Sequence, residues 1–185
     1  MLEIRRLGSK ELDPFLEFMD GPAFKSQPQW QGCYCQFYLN TQKENTEAEQ
    51  DKSLNRIRAC DRISDGTMQG YVALIEGKVV GWMAANSFRN FVALPPAPDD
   101  QAAIICFVID EEHQGRGVAT KLLNFALEDL PSHGYRVVNS APLASGEFVS
   151  YGYRGPRGMF EKAGFVPGPM IDDKHILMSK ELQKN

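Results

Sequence analysis

The run AAIICFVI, residues 102–109, carries no charged or hydrogen-bonding polar side chain and leads straight into DEEHQGRGVAT, residues 110–120. A strand with one face in water alternates apolar and polar residues, whereas an unbroken apolar run bounded by turn residues fits a strand covered on both faces. Beyond it Gly115 and Gly117 flank Arg116. Val118, Ala119, Leu122, Leu123, Ala126, Leu127 and Leu130 then recur at helical spacing, until Pro131 and Gly134 close the segment. A buried central strand, a glycine turn and an amphipathic helix therefore follow one another without a gap. Any fold for this chain must cover both faces of that strand.

The remaining segments supply the cover. LEIRRL at the start reads as a first strand, and a helix begins at Ser9 or at Asp13 with Pro14 and runs through FLEFMD to Gly21. Residues 22–40, with QWQGCYCQFYLN at their centre, are aromatic and show no deciding period. Thr46 and Glu49 have capping-box spacing ahead of a polar helix to Ile63, with Leu54 and Ile57 as its narrow apolar stripe. YVALIEGKVVGWMAA reads as two strands turned at Glu76-Gly77, where glycine suits a tight hairpin. The prolines of LPPAPDD, residues 94–100, make it a loop. YRVVNSA is a further strand, MFEKAGF a short helix and HILMSK a last strand, with a long Gly/Pro/Ser-rich stretch over 141–158. Loops of that length inside a domain are often functional. The 185 residues suffice for one sizeable core, so a single domain over 1–185 is expected.

Twenty basic and twenty-four acidic residues give a net charge of -4, which argues against a nucleic-acid partner. The opening residues carry no apolar signal core and no stretch is long enough to span a bilayer, so no membrane partner and a cytoplasmic location are expected. Cys33, Cys35, Cys60 and Cys106 are then reduced thiols. Zinc needs about four ligands, and GCYCQFY has no second close Cys/His pair, so no metal is expected. His113, His133 and His175 are too scattered to suggest a catalytic set.

A helix N-terminus behind a glycine turn presents free N–H groups and the positive end of the helix dipole, a place for an anion such as a pyrophosphate. The dinucleotide fingerprint would need a third glycine where Thr120 stands, and the nucleotide-triphosphate loop G-x-x-x-x-G-K-[ST] is absent. The structural alternative, two glycines serving only a tight turn, stays open on these residues alone.

The wider stretch CFVIDEEHQGRGVATKLLNFAL resembles the acetyl-CoA-binding segment of the GNAT N-acetyltransferase superfamily, where a strand leads into Q/R-x-x-G-x-G/A and a helix; Gln114, Gly117 and Ala119 fit. The hairpin EGKVVGWMAA and the late MFEKAGF extend the resemblance. It implies an α/β (α+β) GNAT fold: a mixed, mostly antiparallel central sheet with a splayed central strand, flanked by helices. It also implies that the backbone of Phe107, Val108 and Ile109 meets the pantetheine arm and acetyl carbonyl of acetyl-CoA. Gln114, Gly115, Arg116, Gly117, Val118, Ala119 and Thr120 would hold the pyrophosphate, and Asn139 would contact the pantetheine region or serve as a turn residue. The implied activity moves an acetyl group to a primary amine, of a small molecule or of a protein.

Such a transfer needs a neutral amine, stabilisation of the oxyanion and a proton for the leaving thiolate. A backbone N–H at Val108 or Ile109 suits the second need. Glu112, Glu111 or Glu147 are candidate bases, although acidic residues ahead of a helix need no catalytic reason. The tyrosine that often serves the family as acid is replaced here by Phe160, so Tyr153, Tyr151, Ser140 or water takes its place, with Tyr153 favoured. The aromatic segment 30–38, with Trp30, Cys33, Tyr34 and Cys35, and the 141–158 loop are the candidate acceptor walls; Arg154 and Arg157 in that loop offer charge to a phosphate or an acidic substrate, or are solvated. A sensor that has lost transfer chemistry, a longer-acyl transferase and a homodimer are all compatible with the pattern.

Overall fold

In the computed structural model, which describes residues 1–146 and 152–183, the expected hairpin forms the second and third strands across a seven-stranded sheet. Strands β2 (Gly70–Ile75) and β3 (Lys78–Ser87) are joined by Glu76 and Gly77, both at positive φ (52° and 78°). That combination gives the turn whose twist matches its strands. The amphipathic β1 (Leu2–Arg6) pairs with β2, and β4 (Gln101–Ile109) with β3, both antiparallel. Strand β5 (Val137–Ser140) runs parallel to β4, and β6 (Val166–Met170) and β7 (Ile176–Glu181) complete the order β1-β2-β3-β4-β5-β7-β6. The sheet is thus mixed and mostly antiparallel, as the resemblance implied.

Helices cover both faces. Helix α1 (Leu12–Asp20) buries Phe15, Leu16, Phe18 and Met19 on one face, where Phe15 meets Trp82 edge-on at 5.0 Å. It starts behind Glu11 without a side-chain cap, not at Ser9 or Asp13, and ends at Gly21 as expected. The other face is covered by α4 (Val118–Asp129), through Val118, Leu122, Leu123 and Ala126, and by α5 (Arg157–Lys162).

The polar helix expected to run to Ile63 is two helices, α2 (Gln42–Gln50) and α3 (Ser53–Ser64). The capping box sits one turn earlier than Thr46 and Glu49, at Thr41 and Glu44: Glu44 N donates to Thr41 Oγ1 at 3.3 Å and Thr41 N to Glu44 Oε2 at 2.7 Å. Thr46 is instead inside α2, donating back to Gln42 O at 3.1 Å. The sequence holds T-x-x-E twice in nine residues, and only the first copy precedes the helix. The inward stripe is Ala59 and Ile63, while Ile57 is 56% exposed. Glu44 also receives Arg62 Nη2 at 3.0 Å, tying α2 to α3. Strand β6 was not foreseen, because Pro167 and Pro169 argue against a strand; it is an edge strand, which tolerates them.

One irregularity matters beyond the sheet. Strands β4 and β5 pair only from Gln101↔Val137 to Ile104↔Ser140, yet β4 continues to Ile109. At the same place the β3–β4 register shifts, Ala85 opposing Ile104 and Ala84 opposing Cys106, so Ile105 is an extra residue in β4. Alternation breaks accordingly: Ile105 and Cys106 both pack with the α1-side core, and Ile104 and Phe107 with the α4-side core. A bulge turns neighbouring side chains to one side and bends its strand. Here it coincides with the loss of β5.

Thr41→Ala is expected to cost about 1 kcal/mol through loss of the cap. Urea denaturation should show a lower midpoint with an unchanged slope.

Candidate functional site

Where β5 leaves, the returning loop takes its place. Phe107 N donates to Tyr153 O at 2.6 Å, laying residues 152–155 beside the bare edge of β4. Backbone N–H groups point to alternate sides along a strand. Since Phe107 N faces Tyr153 and Asp110 N faces Val80 O of β3, at 3.0 Å, Ile109 N also points away from β3, into the splay. Of the two expected oxyanion donors, Ile109 rather than Val108 has its N–H on the open side.

The splay opens into a chamber of about 290 Å³. Its walls include Phe107, Val108 and Ile109, the turn residues Gln114, Gly115 and Gly117, and Val118, Ala119 and Thr120 at the start of α4. Gln114 Nε2 donates to Ile109 O at 3.1 Å and pins the turn to the strand end. Gly115 and Gly117 stand at φ 70° and 78°, the left-handed region that other L-residues enter at a cost, and a side chain on either would meet nothing within 4 Å. The glycines are therefore required by the backbone path rather than by crowding. The first intrahelical bond is Lys121 N to Gly117 O, at 3.0 Å, and no side chain caps the helix. Hence the N–H groups of Val118, Ala119 and Thr120 lack intrahelical acceptors at the positive end of a twelve-residue helix. An extended chain ending in a pyrophosphate fits this arrangement. Arg116 is exposed beside the turn and not among the chamber walls.

A second chamber, of about 270 Å³, lies on the α1 side of β4. Trp30, Cys33, Cys35, Tyr38, Cys106 and the bulged Ile105 line it, and it shares Phe24, Trp30, Val108 and Tyr153 with the first. Cys35 Sγ lies 3.4 Å from Cys106 Sγ and accepts Trp82 Nε1 at 3.2 Å. The neighbouring Cys35 thiol and then burial push the Cys33 thiol well up, and Cys106 followed by burial does the same to Cys35. Both stay protonated at neutral pH. Among the described residues no group of three His, Cys, Asp or Glu side chains is arranged to hold a metal ion.

Tyr153 stands between the chambers, its ring edge-on to Trp30 at 5.7 Å and its hydroxyl 3.5 Å from that of Tyr38. Arg154 Nη2 donates to Tyr38 Oη at 2.7 Å. Burial, and next the Tyr153 hydroxyl, push Tyr38 up to about 12 against the pull of Arg154. Tyr38, within the 30–38 segment expected to wall the acceptor though not singled out there, is thus a neutral phenol at the centre of the site.

Several expected residues fall elsewhere. Tyr34 is buried, but its hydroxyl bonds Asp20 and it lines neither chamber; Tyr34 and Cys35 lie at φ 47° and 53°, a turn that carries Tyr34 away from its neighbours. Asn139 holds the sheet together instead, donating to Gln101 Oε1 at 3.0 Å and accepting Ser179 Oγ at 2.6 Å, because β5 pairs on both sides at that residue. Glu111 and Glu112 are exposed on a single helical turn ahead of the glycines, outside both sets of walls. Glu147 and Tyr151 lie outside the described residues. His113, set aside as scattered, does line the first chamber, its Nδ1 3.0 Å from Asp110 Oδ2. Phe160 is fully buried, edge-on to Phe107 at 6.2 Å and to Phe165 at 5.1 Å, and lines neither chamber.

Comparisons agree with this geometry. The model of the Acetyltransferase (GNAT) family matches residues 30–165. The fold is similar to the GNAT domain of S. lividans PAT (TM-score 0.60, 18% identity, covering 98% of this chain and 90% of that one). It is also similar to the paia N-acetyltransferase from Thermoplasma acidophilum in complex with coenzyme A (0.60, 14%, 98% and 99%) and to an N-acetyltransferase from Staphylococcus aureus Mu50 (0.58, 18%, 99% and 99%). No curated protein matches the sequence. Among the described residues no helix is long and apolar enough to cross a membrane.

Two outcomes test these placements. Phe160→Tyr buries a hydroxyl among aromatic rings, at a cost of about 1–3 kcal/mol, and should lower the thermal midpoint by several degrees. In an alkaline absorbance titration, Tyr38→Phe should remove one phenol from those ionising near pH 12.

Proposed function

The chain belongs to the acetyltransferase (GNAT) family, and from that premise we propose that it transfers an acetyl group from acetyl-CoA to the primary amine of a small molecule, by direct attack in a ternary complex. The observation that carries this reading is that the two chambers share Val108 and Tyr153 at the stretch of β4 that has lost its β5 neighbour. A thioester lying along β4 and an amine in the aromatic chamber come together there.

Acetyl-CoA supplies the activated acetyl group and a good leaving thiolate; the chain supplies position and charge. The N–H groups of Val118, Ala119 and Thr120, with Gly115 to Gly117 beside them, take the pyrophosphate. Phe107 and Val108 line the chamber, while Phe107 N already has an acceptor in Tyr153 O. Ile109 N–H is the donor for the negative charge that develops on the thioester oxygen. Tyr153 Oη is the proton source for the thiolate, with Tyr38 as its hydrogen-bonded partner. The described walls of both chambers lack Asp and Glu, so the amine enters neutral after losing its proton to water, and Glu112 has no role in our reading.

Protonated Cys33 and Cys35 favour direct attack over an enzyme-bound thioester, because the thiolate is the nucleophile. Phe160 offers no support for a silent, ligand-sensing site, since its side chain is core.

With acetyl-CoA and a panel of primary amines, free CoA thiol should appear in proportion to the acetylated product. Tyr153→Phe is expected to lower kcat about a hundredfold while CoA binding, measured by calorimetry, persists. Release of CoA from no amine by a protein that binds the thioester would contradict the transfer reading. Gly117→Ala, forced into the left-handed region, should cost about 1–2 kcal/mol of stability and weaken CoA binding at least tenfold.

A further inference from the structure

The polar group that this chemistry leaves unused is Arg154. Every other partly buried arginine among the described residues has a carboxylate: Arg6 has Asp129 at 2.8 Å, Arg58 has Glu47 at 2.6 Å, Arg62 has Glu44 at 3.0 Å and Arg157 has Glu161 at 2.7 Å. Among the described residues Arg154 has none within ion-pair distance, and Asp172 acts on it only from farther away. Its described partners are neutral, Nη2 donating to Tyr38 Oη at 2.7 Å and Nη1 to Ala141 O at 3.3 Å, and its buried Nε has no partner. A guanidinium carries five N–H donors in a fork that matches a carboxylate, and a buried cation without a counter-charge is costly. Arg157, three residues on at the start of α5, shows the ordinary solution; Arg154, beside the site, departs from it.

Its position is specific as well. The guanidinium carbon lies 5.9 Å from the Tyr38 ring centre and 5.7 Å from that of Tyr153, two walls of the second chamber. The rest of that chamber is apolar, with Phe24, Trp30, Phe37 and Ile105, and its walls hold no carboxylate. A diamine or polyamine would find nothing to hold its second cation there, and the nearest charge to the Tyr38 and Tyr153 walls is the like charge of Arg154, which lies against both rings without itself being a wall.

We propose that Arg154 receives the carboxylate of the acceptor, so that the acceptor is an amine bearing both a carboxylate and an apolar body, an α-amino acid with an aromatic or branched aliphatic side chain. The inference rests on the amine-transfer reading above. The carboxylate neutralises Arg154, the side chain fills the aromatic and thiol-lined chamber, and the amine is left facing Val108 and the end of β4.

Matched pairs test it: phenylalanine against phenethylamine, and leucine against isoamylamine, which differ by the carboxylate alone. The wild-type protein should prefer each amino acid in kcat/KM by at least about tenfold, the range of a charge-assisted bond. In Arg154→Gln the ratio should fall towards one, and Arg154→Lys, which keeps the charge but not the fork, should fall between. Calorimetry of N-acetylphenylalanine and N-acetylphenethylamine with the CoA-saturated protein reads the same subsite without catalysis. Only the first should bind tightly, and Arg154→Gln should abolish the difference. Equal use of the paired amines, or a preference that survives in Arg154→Gln, overturns the assignment. If no amine is acetylated although CoA binds, the transfer reading fails on its own. The product measurement then still decides the carboxylate subsite, absence of any preference for N-acetylphenylalanine overturning it.

Discussion

The parting of β4 from β5 after Ile104↔Ser140 is the constraint on which the rest of the molecule depends. A central strand that loses its neighbour exposes backbone donors and acceptors inside a protein, and buried backbone groups are nearly always satisfied. Here the burden is divided: Tyr153 O takes Phe107 N, and the Gln114 side chain takes Ile109 O, while Ile109 N points into the splay. The bulge at Ile105 lets β4 bend away while β3 stays paired as far as Ile109. The same irregularity turns Ile105 and Cys106 together into the acceptor side. One local defect therefore creates both chambers and fixes their meeting point.

The chambers differ in the chemistry they tolerate. On the α4 side the walls are backbone-rich, with glycines at positive φ and uncapped helical N–H groups, suited to a ligand that is anionic at one end and amide-like along its length. On the α1 side they are aromatic rings and thiols, with polarity concentrated in two tyrosine hydroxyls, one of which is held by Arg154. A cation that has only phenols and a carbonyl for partners keeps its electrostatic attraction for something that enters. The loop carrying Tyr153 and Arg154 closes the sheet edge and furnishes the polar groups at once, which explains a long loop in an otherwise economical fold.

Much of this was legible in sequence where one physical signal dominated. The apolar run 102–109, the glycine turn and the helical spacing from Val118 each allow few conformations, and the strand, turn and helix lie where they were expected. Competing signals gave the errors. Two copies of T-x-x-E differ only in which one precedes the helix, and the second lies inside α2 around its one buried residue, Ala48. Prolines in β6 hide a strand that needs no ladder donors on its outer edge. Tyr34 and Cys35, adjacent in sequence, face different surroundings because of left-handed backbone conformations that no period reveals. The partnerships of Tyr38, Tyr153 and Arg154 span more than a hundred residues and exist only once the loop has folded over β4.

Amide hydrogen exchange on the protein with and without saturating acetyl-CoA tests the central claim most directly. The account predicts added protection at residues 107–109 and at 115–120, with little change in β1 and β2, because the thioester arm lies along the splayed edge and the pyrophosphate on the helix N-terminus. Binding with no protection at Ile109 and the glycine turn, or with protection centred on another part of the sheet, would contradict it.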